Sequence, residues 1–179
     1  MLDIKRRRRM GVTNYPKRIA MLKSGAARVV VRKSNRAVRM QIISYSVSGD
    51  KVLASASSGE LESLGWKPRC NTPTAYLTGM LLANKAKSIK QDRLISDIGL
   101  YRPVKSSVVF AALKGCMDNG LNLLGKIEID DERISGKLIK DYAQKLGGES
   151  NQFSGYKKEG FDISRIDETF ESVKKKLKM

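Results

Sequence analysis

The stretch Arg28-Val-Val-Val-Arg-Lys-Ser-Asn-Arg-Ala-Val-Arg-Met-Gln-Ile-Ile-Ser-Tyr45 holds two β-branched runs joined by a polar turn at Ser34 and Asn35. Valine and isoleucine are stiff at χ1 and suit a pleated surface, while Ser and Asn tolerate the dihedrals of a tight turn. The segment therefore predicts an antiparallel hairpin. Its apolar residues can start a core. The cations Arg28, Arg32, Lys33, Arg36 and Arg39 add nothing to a core, and they predict a rim able to meet a polyanion.

Working outward, Ser48-Gly49-Asp50 reads as a turn and 51–56 as a third strand, completing a meander. Asn71-Thr72-Pro73 is a helix start, because Asn or Thr accepts a free amide hydrogen and Pro at the first helical position sacrifices no bond. Tyr76, Leu77, Met80, Leu81 and Ala83 follow as an apolar stripe expected to cover the sheet. Leu94 to Ile98 reads as a short buried strand that joins the sheet in parallel with one neighbour, reached through that helix. After a loop over 99–105, Ser106 or Ser107 caps a second helix marked by Val109, Ala112, Leu113 and Cys116 and stopped by Gly120. Its Ala and Gly content predicts close approach to the strands. The order β-β-β-α-β-α is an α/β layer arrangement, the order used by ribonuclease H-like nucleases.

Toward the N-terminus, charge dominates. Residues 1–39 carry 13 basic residues and one acidic, +12 of the total +17. Such concentration points to a polyanionic partner, with nucleic acid favoured over a membrane, since Leu2, Ile4, Met10 and Val12 are too scattered to form an apolar face. Lys5 and Arg6, Arg7, Arg8 and Arg9 repel one another, so residues 1–12 are expected to order only on a partner. The bland reading is a solvated tail or a localisation run. Thr13 is the expected cap of a short helix with Pro16 in its first turn and Gly25 at its end, displaying Lys17, Arg18 and Lys23.

Toward the C-terminus, Asp130 or Asp131 caps a helix on which Ile134, Leu138, Tyr142 and Leu146 recur every fourth residue, ended by Gly147-Gly148. Residues 149–160 read as a mobile linker. Ser164 with Asp167 starts a last amphipathic helix carrying Ile166, Phe170, Val173 and Leu177. Three regions are expected: a basic N-terminal extension over 1–27, an α/β RNA-binding core over 28–122 and a helical C-terminal extension over 123–179.

Catalytic and metal chemistry find little support. There is no histidine, which removes most zinc sites and His-based acid/base catalysis. Two-metal nucleases need clustered carboxylates, whereas the first strand offers Val29, Val30 and Val31, and Asp97 is the lone acid on a predicted core strand. Residues 120–126 match most of a phosphate-cradling loop, but Ile127 stands where Ser or Thr must bind magnesium, and a helix rather than a strand precedes it. Asp130, Asp131 and Glu132 are explained as helix-capping acids. No cofactor and no metal are expected. Cys70 and Cys116 are expected to be reduced thiols of a cytoplasmic protein, and no apolar run approaches the roughly 18 residues that span a bilayer. Trp66 either stacks on a base or, as the favoured reading, packs under the sheet or against another protein. Tyr101, Arg102 and Lys105 sit in a loop between strand and helix, as candidates for base stacking and phosphate contacts.

Four ordered blocks are more specific than composition: Arg-Val-Val-Val-Arg-Lys-Ser-Asn at 28–35, Asn-Thr-Pro-Thr-Ala-Tyr-Leu-Thr-Gly at 71–79, Asp-Ile-Gly-Leu-Tyr-Arg-Pro at 97–103 and Val-Phe-Ala-Ala-Leu-Lys-Gly at 109–115. Together they resemble the large-subunit ribosomal protein L-eighteen family in its archaeal form, from about Arg6 to about Leu146. The resemblance implies a non-catalytic protein that binds 5S ribosomal RNA in the central protuberance, beside large-subunit rRNA, neighbouring ribosomal proteins and the other 5S-binding protein. It also implies a ribonuclease H-like fold without the catalytic carboxylates. The positions matching the family's RNA contacts are Arg6, Arg7, Arg8, Arg9, Lys17, Arg18, Arg32, Lys33, Ser34, Asn35 and Arg36; Arg39, Tyr101, Arg102 and Lys105 join them as candidates. Competing readings are a non-specific cationic RNA chaperone and a protein-docking module built on the C-terminal helices.

Overall fold

The computed structural model describes residues 6–89, 93–146 and 152–178, and it has a mixed α/β architecture. The hairpin forms as expected: β1 (Ala27–Lys33) pairs antiparallel with β2 (Val38–Ser44), and β2 pairs with β3 (Lys51–Ser57). The strand β4 (Leu94–Asp97) lies parallel to β1, giving the order β3-β2-β1-β4. Strand alternation sends Ala27, Val29 and Val31 of β1 and Val38, Met40 and Ile42 of β2 into one core with Ala54 and Ala56 of β3. The opposite face carries Arg28, Val30 and Arg32.

Helix α3 (Thr72–Lys85) starts on Asn71, whose side chain accepts the Thr74 amide at 3.1 Å, with Pro73 in its first turn. It is buried almost all round. Ala75 and Leu82 face the sheet core, but Tyr76, Leu77 and Met80, expected to cover the sheet, face a second core built with Leu61, Trp66, Ile134, Ile166, Phe170, Val173 and Leu177. The stripe was read correctly as apolar and assigned to the wrong neighbour, because periodicity reports burial and not its partner. Helix α4 (Val108–Asp118) buries Val109, Ala112, Leu113 and Cys116 as expected. Its closest approach is to α3 rather than to the strands: a Cβ on Gly115 would lie 2.1 Å from the Tyr76 carbonyl oxygen, and one on Gly79 2.0 Å from that of Ala112. Ser107 holds the cap position of α4 without a side-chain cap bond.

The N-terminal segment differs from expectation in two ways. Arg6–Arg9 form one helical turn, α1, with Met10 N donating to Arg6 O at 3.0 Å, although repulsion argued against local order. Helix α2 (Tyr15–Leu22) is capped by Asn14, not Thr13; Asn14 accepts the Lys17 amide at 3.1 Å, while the Thr13 hydroxyl accepts from Arg7 Nε at 3.0 Å. Residues 1–5, including the expected contributions of Leu2, Ile4 and Lys5, lie outside the described residues.

The C-terminal segment is more ordered than its sequence suggests. A single helix from Asp131 is in fact two, α5 (Asp131–Ser135) and α6 (Lys137–Leu146), broken at Gly136, whose φ of +86° ends the first. The break buries Ile134 but leaves Leu138 and Tyr142 each 46% exposed. The expected Gly147-Gly148 stop and the 149–151 portion of the expected linker lie outside the described residues. The rest of that linker contains α7 (Ser154–Lys158), which is clasped to the body. Arg69 donates to Gly155 O at 3.0 Å, pairs with Glu159 at 2.6 Å and stacks over the Tyr156 ring, while Asn71 Nδ2 donates to the Tyr156 hydroxyl at 2.9 Å. The last helix, α8 (Ile166–Lys178), buries Ile166, Phe170, Val173 and Leu177 as expected, but the turn before it is capped by Asp162 rather than Ser164.

Trp66 is fully buried, donates Nε1–H to the Thr74 hydroxyl at 2.9 Å and meets Phe161 and Phe170 edge-on. It packs rather than stacking on a base, but in the second core with Tyr76 and Phe170 and not under the sheet as expected. A 3-10 helix over Ser58–Leu64, not anticipated from sequence, delivers Leu61 to the same core. Both cysteines are free, and burial pushes both thiols up, which favours the protonated form.

The α3–α4 crossing yields a direct test. Gly115→Ala should lower unfolding free energy in urea by about 1–3 kcal/mol or more, since backbone rather than a flexible side chain must yield. Gly59→Ala, whose Cβ would meet nothing nearer than Ser57 Oγ at 4.0 Å, should stay within about 0.5 kcal/mol of the parent.

Candidate nucleic-acid interface

The sheet face opposite the core is organised by one carboxylate. In the parallel register Asp97 lies beside Val30, which places it between Arg28 and Arg32 on the same side of β1. Asp97 accepts from Arg28 Nη1 at 3.1 Å, from Arg32 Nη2 at 3.3 Å and from the Gly99 amide at 2.8 Å. Asp50, in the β2–β3 turn, accepts from Arg28 at 2.8 Å and from Arg18 of α2 at 2.8 Å. Arg28 is only 2% exposed, so it is a structural cation and not part of the rim expected from sequence. Its alternation with the core valines placed it on the charged face, where Asp50 and Asp97 hold its guanidinium; the first of these has no signature in β1 itself.

Three basic segments distant in sequence are drawn together around this network. Lys17 of α2 donates to Gly99 O at 3.2 Å. The Tyr101 hydroxyl donates to Lys33 O at 2.7 Å and accepts from Lys33 N at 3.1 Å, which fastens the 99–105 loop to the end of β1. Lys33 also lies 5.7 Å from the Tyr101 ring centre. Gly99 adopts a φ of +62°, a conformation that favours glycine, and a Cβ there would lie 2.9 Å from the Arg32 guanidinium carbon, so any other residue would push the Arg32 side chain aside. The tail, the hairpin and the loop thus form one continuous basic region.

Within it the expected site residues divide into two groups. Arg7, Lys17, Arg18, Arg32 and Tyr101 line a cavity of about 380 Å³, with Arg28 and Asp97 in its wall. Arg6, Arg8, Arg9, Arg36, Arg39, Arg102 and Lys105 are exposed and form no ion pair or side-chain hydrogen bond among the described residues. Asn35 is exposed at the hairpin tip. Ser34 serves the turn itself: its hydroxyl accepts from Ala37 N at 3.0 Å and Arg36 N at 3.3 Å, and its amide donates to Ala37 O at 2.8 Å. Lys105 lines a separate cavity with Phe110 and Lys126. Sequence reasoning missed Asp50 and the buried role of Arg28. The available signal was strand parity, which sets Asp97 against two arginines.

Chemically, the free guanidinium groups suit paired contacts to phosphate oxygens and stacking on unpaired bases, while the networked ones hold the surface in place. No helix among the described residues is long and apolar enough to cross a membrane.

Comparisons with known proteins agree with the chemistry. Residues 3–94 match a family model described as ribosomal large subunit proteins 60S L5, and 50S L18. The chain is 45% identical over 178 residues to the large ribosomal subunit protein uL18 of Korarchaeum cryptofilum, covering 96% of this chain and 91% of that protein. It is 46% identical over 181 residues to uL18 of Thermofilum pendens, covering 96% and 92%, and 41% identical over 181 residues to uL18 of Methanococcus maripaludis, covering 96% and 93%.

Removing the central carboxylate should be expensive. Asp97→Ala leaves buried Arg28 with Asp50 as its single carboxylate and Arg32 with backbone acceptors alone, and should lower stability by about 1–3 kcal/mol in urea denaturation. Glu128→Ala, which breaks only a solvent-exposed pair with Lys126, should change it by no more than about 1 kcal/mol.

Proposed function

Because the chain belongs to the uL18 family of large-subunit ribosomal proteins, it is a non-enzymatic structural constituent of the large subunit, working in the cytoplasm with rRNA and ribosomal proteins, and we propose that its RNA target is 5S ribosomal RNA. On this reading it helps attach that RNA to the large-subunit rRNA in the central protuberance, beside the other 5S-binding protein. The observation that carries the proposal is the joining of tail, hairpin and loop 99–105 into one basic region through Lys17–Gly99 and Tyr101–Lys33.

Roles follow from what each cation already touches. Arg6, Arg8, Arg9, Arg36, Arg39, Arg102 and Lys105 meet phosphates, with Arg7, Lys17, Arg18, Arg32 and Lys33 set behind them and Asn35 at the hairpin tip. Ser34 contributes by shaping the turn, and Tyr101 by fixing Lys33, since its hydroxyl is already engaged. A-form helices hide their major groove from side chains, so selection of 5S RNA rests on its overall shape and unpaired bases. Residues 28–122 act as the RNA-binding core, 1–27 as the basic extension and 123–179 as the helical extension. The exposed Leu138 and Tyr142 on α6 favour a second contribution, docking of a neighbouring protein by the C-terminal helices.

A competition titration on 5S RNA against excess transfer RNA, near physiological ionic strength, tests the target. Retained binding supports 5S recognition; loss to the competitor leaves a non-specific cationic chaperone. Replacing Arg6 to Arg9 by Ala should flatten the log-log salt dependence by roughly 0.7–0.9 for each arginine that meets a phosphate. An unchanged slope would mean that the tail faces something other than RNA.

A further inference from the structure

Arg28 is an unusual group to find in the wall of a cavity. Two of its nitrogens are held by Asp97 and Asp50, but its Nε is buried without an acceptor among the described residues. A buried donor of a charged group left unpaired is costly, and an acceptor brought by a ligand removes that cost. The surrounding charge points the same way. Arg7, Lys17, Arg18, Arg28 and Arg32 line the space, and Asp97 and Asp50 neutralise two of the five, which leaves an excess of three positive charges. Part of the lining is different in kind: Val12 and Leu100, 51% and 60% exposed, and Met21 are apolar. At about 380 Å³ the cavity falls within the range of about 300–1,000 Å³ typical of small-ligand pockets.

We propose that this cavity takes one unpaired nucleotide of the bound RNA, its phosphate supplying the acceptor for Arg28 Nε beside Arg18, Arg32 and Lys17, and its base resting on Val12, Met21 and Leu100. The inference rests on the RNA-binding reading above and adds a specific seat to it. A duplex strand turns its bases inward and would leave the apolar lining unused, whereas an unpaired nucleotide presents phosphate and base to different walls. Arg28 Nε has no solvent-exposed surface, so the phosphate reaches it as Arg18 turns away from Asp50. Arg18 is suited to that movement, being about one third exposed and held at its guanidinium by a single carboxylate; Asp50 keeps Arg28 as its partner when Arg18 leaves.

The test uses the full chain labelled with nitrogen-15, following the Arg28 Nε–H resonance during titration with 5S RNA, with adenosine 5′-monophosphate and with inorganic phosphate. RNA and the mononucleotide should both move the resonance downfield, the mononucleotide at several-fold lower concentration than inorganic phosphate. Equal potency of inorganic phosphate would overturn the nucleotide seat in favour of a plain anion site. RNA that binds, by mobility shift, without moving Arg28 would overturn the inference and leave the RNA-binding reading intact. Failure of RNA to bind at all would sink that reading, and a mononucleotide response would then be unconnected with RNA. Arg28→Lys, which keeps the charge but loses Nε, should weaken RNA binding roughly tenfold, the worth of one charge-assisted hydrogen bond. On the RNA it should restore chemical reactivity at a single unpaired nucleotide while the rest of the footprint persists; uniform weakening without that local change would count against the seat.

Discussion

Asp97 ends the strand that completes the sheet, and it does so inside a charged layer rather than at the surface. Taking a carboxylate out of water is unfavourable unless its lone pairs are met. Here Arg28, Arg32 and the Gly99 amide meet them, and Arg28 passes the requirement on to Asp50 and Arg18. Each link joins a different element: β4 to β1, β1 to the β2–β3 turn, and that turn to α2. The basic region therefore has a definite shape because a small number of acids inside it are shared among more cations than they can neutralise.

A second constraint is steric and lies on the other side of the molecule. α3 is a wall common to two cores, with Ala75 and Leu82 toward the sheet and Tyr76, Leu77 and Met80 toward α8. α4 can reach α3 only because Gly79 and Gly115 remove the Cβ atoms that would strike backbone oxygens. The charged layer fixes where the binding surface sits; the glycine crossing fixes the scaffold that carries it.

The four strands, the two long helices of the α/β part and the apolar register of the last helix were legible because each carries a period of two or of about 3.6 over enough residues, with clear punctuation at Asn71, Gly120 and the hairpin turn. Less was legible where a tertiary partner decides. The run from Ile134 to Leu146 reads as one stripe, yet Gly136 breaks it and leaves Leu138 and Tyr142 exposed. α7 is too short to show a period and is held by Arg69 and Asn71, more than eighty residues earlier in the chain. Asn14 and Thr13 are equally good caps by type, and only the pairing of Thr13 with Arg7 separates them. At the interface, sequence gave the sign of the charge and most of the residues carrying it. It did not distinguish Arg28, a buried strut near the start of β1, from Arg36, a free cation in the turn, because the partners that bury Arg28, Asp50 and Asp97, lie outside the hairpin strands.

The shared wall has a consequence for synthesis. Ribosomes deliver the chain from its N-terminus, so the sheet, α3 and α4 emerge while the segment bearing Phe170, Val173 and Leu177 is still to come. Until it arrives, Trp66, Tyr76, Leu77 and Met80 have no cover on their outer side. The nascent chain thus presents an aromatic, aggregation-prone surface for the interval in which its final third is made. Completion of α8 is then the event that closes the protein, which makes its last turn, where Leu177 is buried, a folding element despite its terminal position.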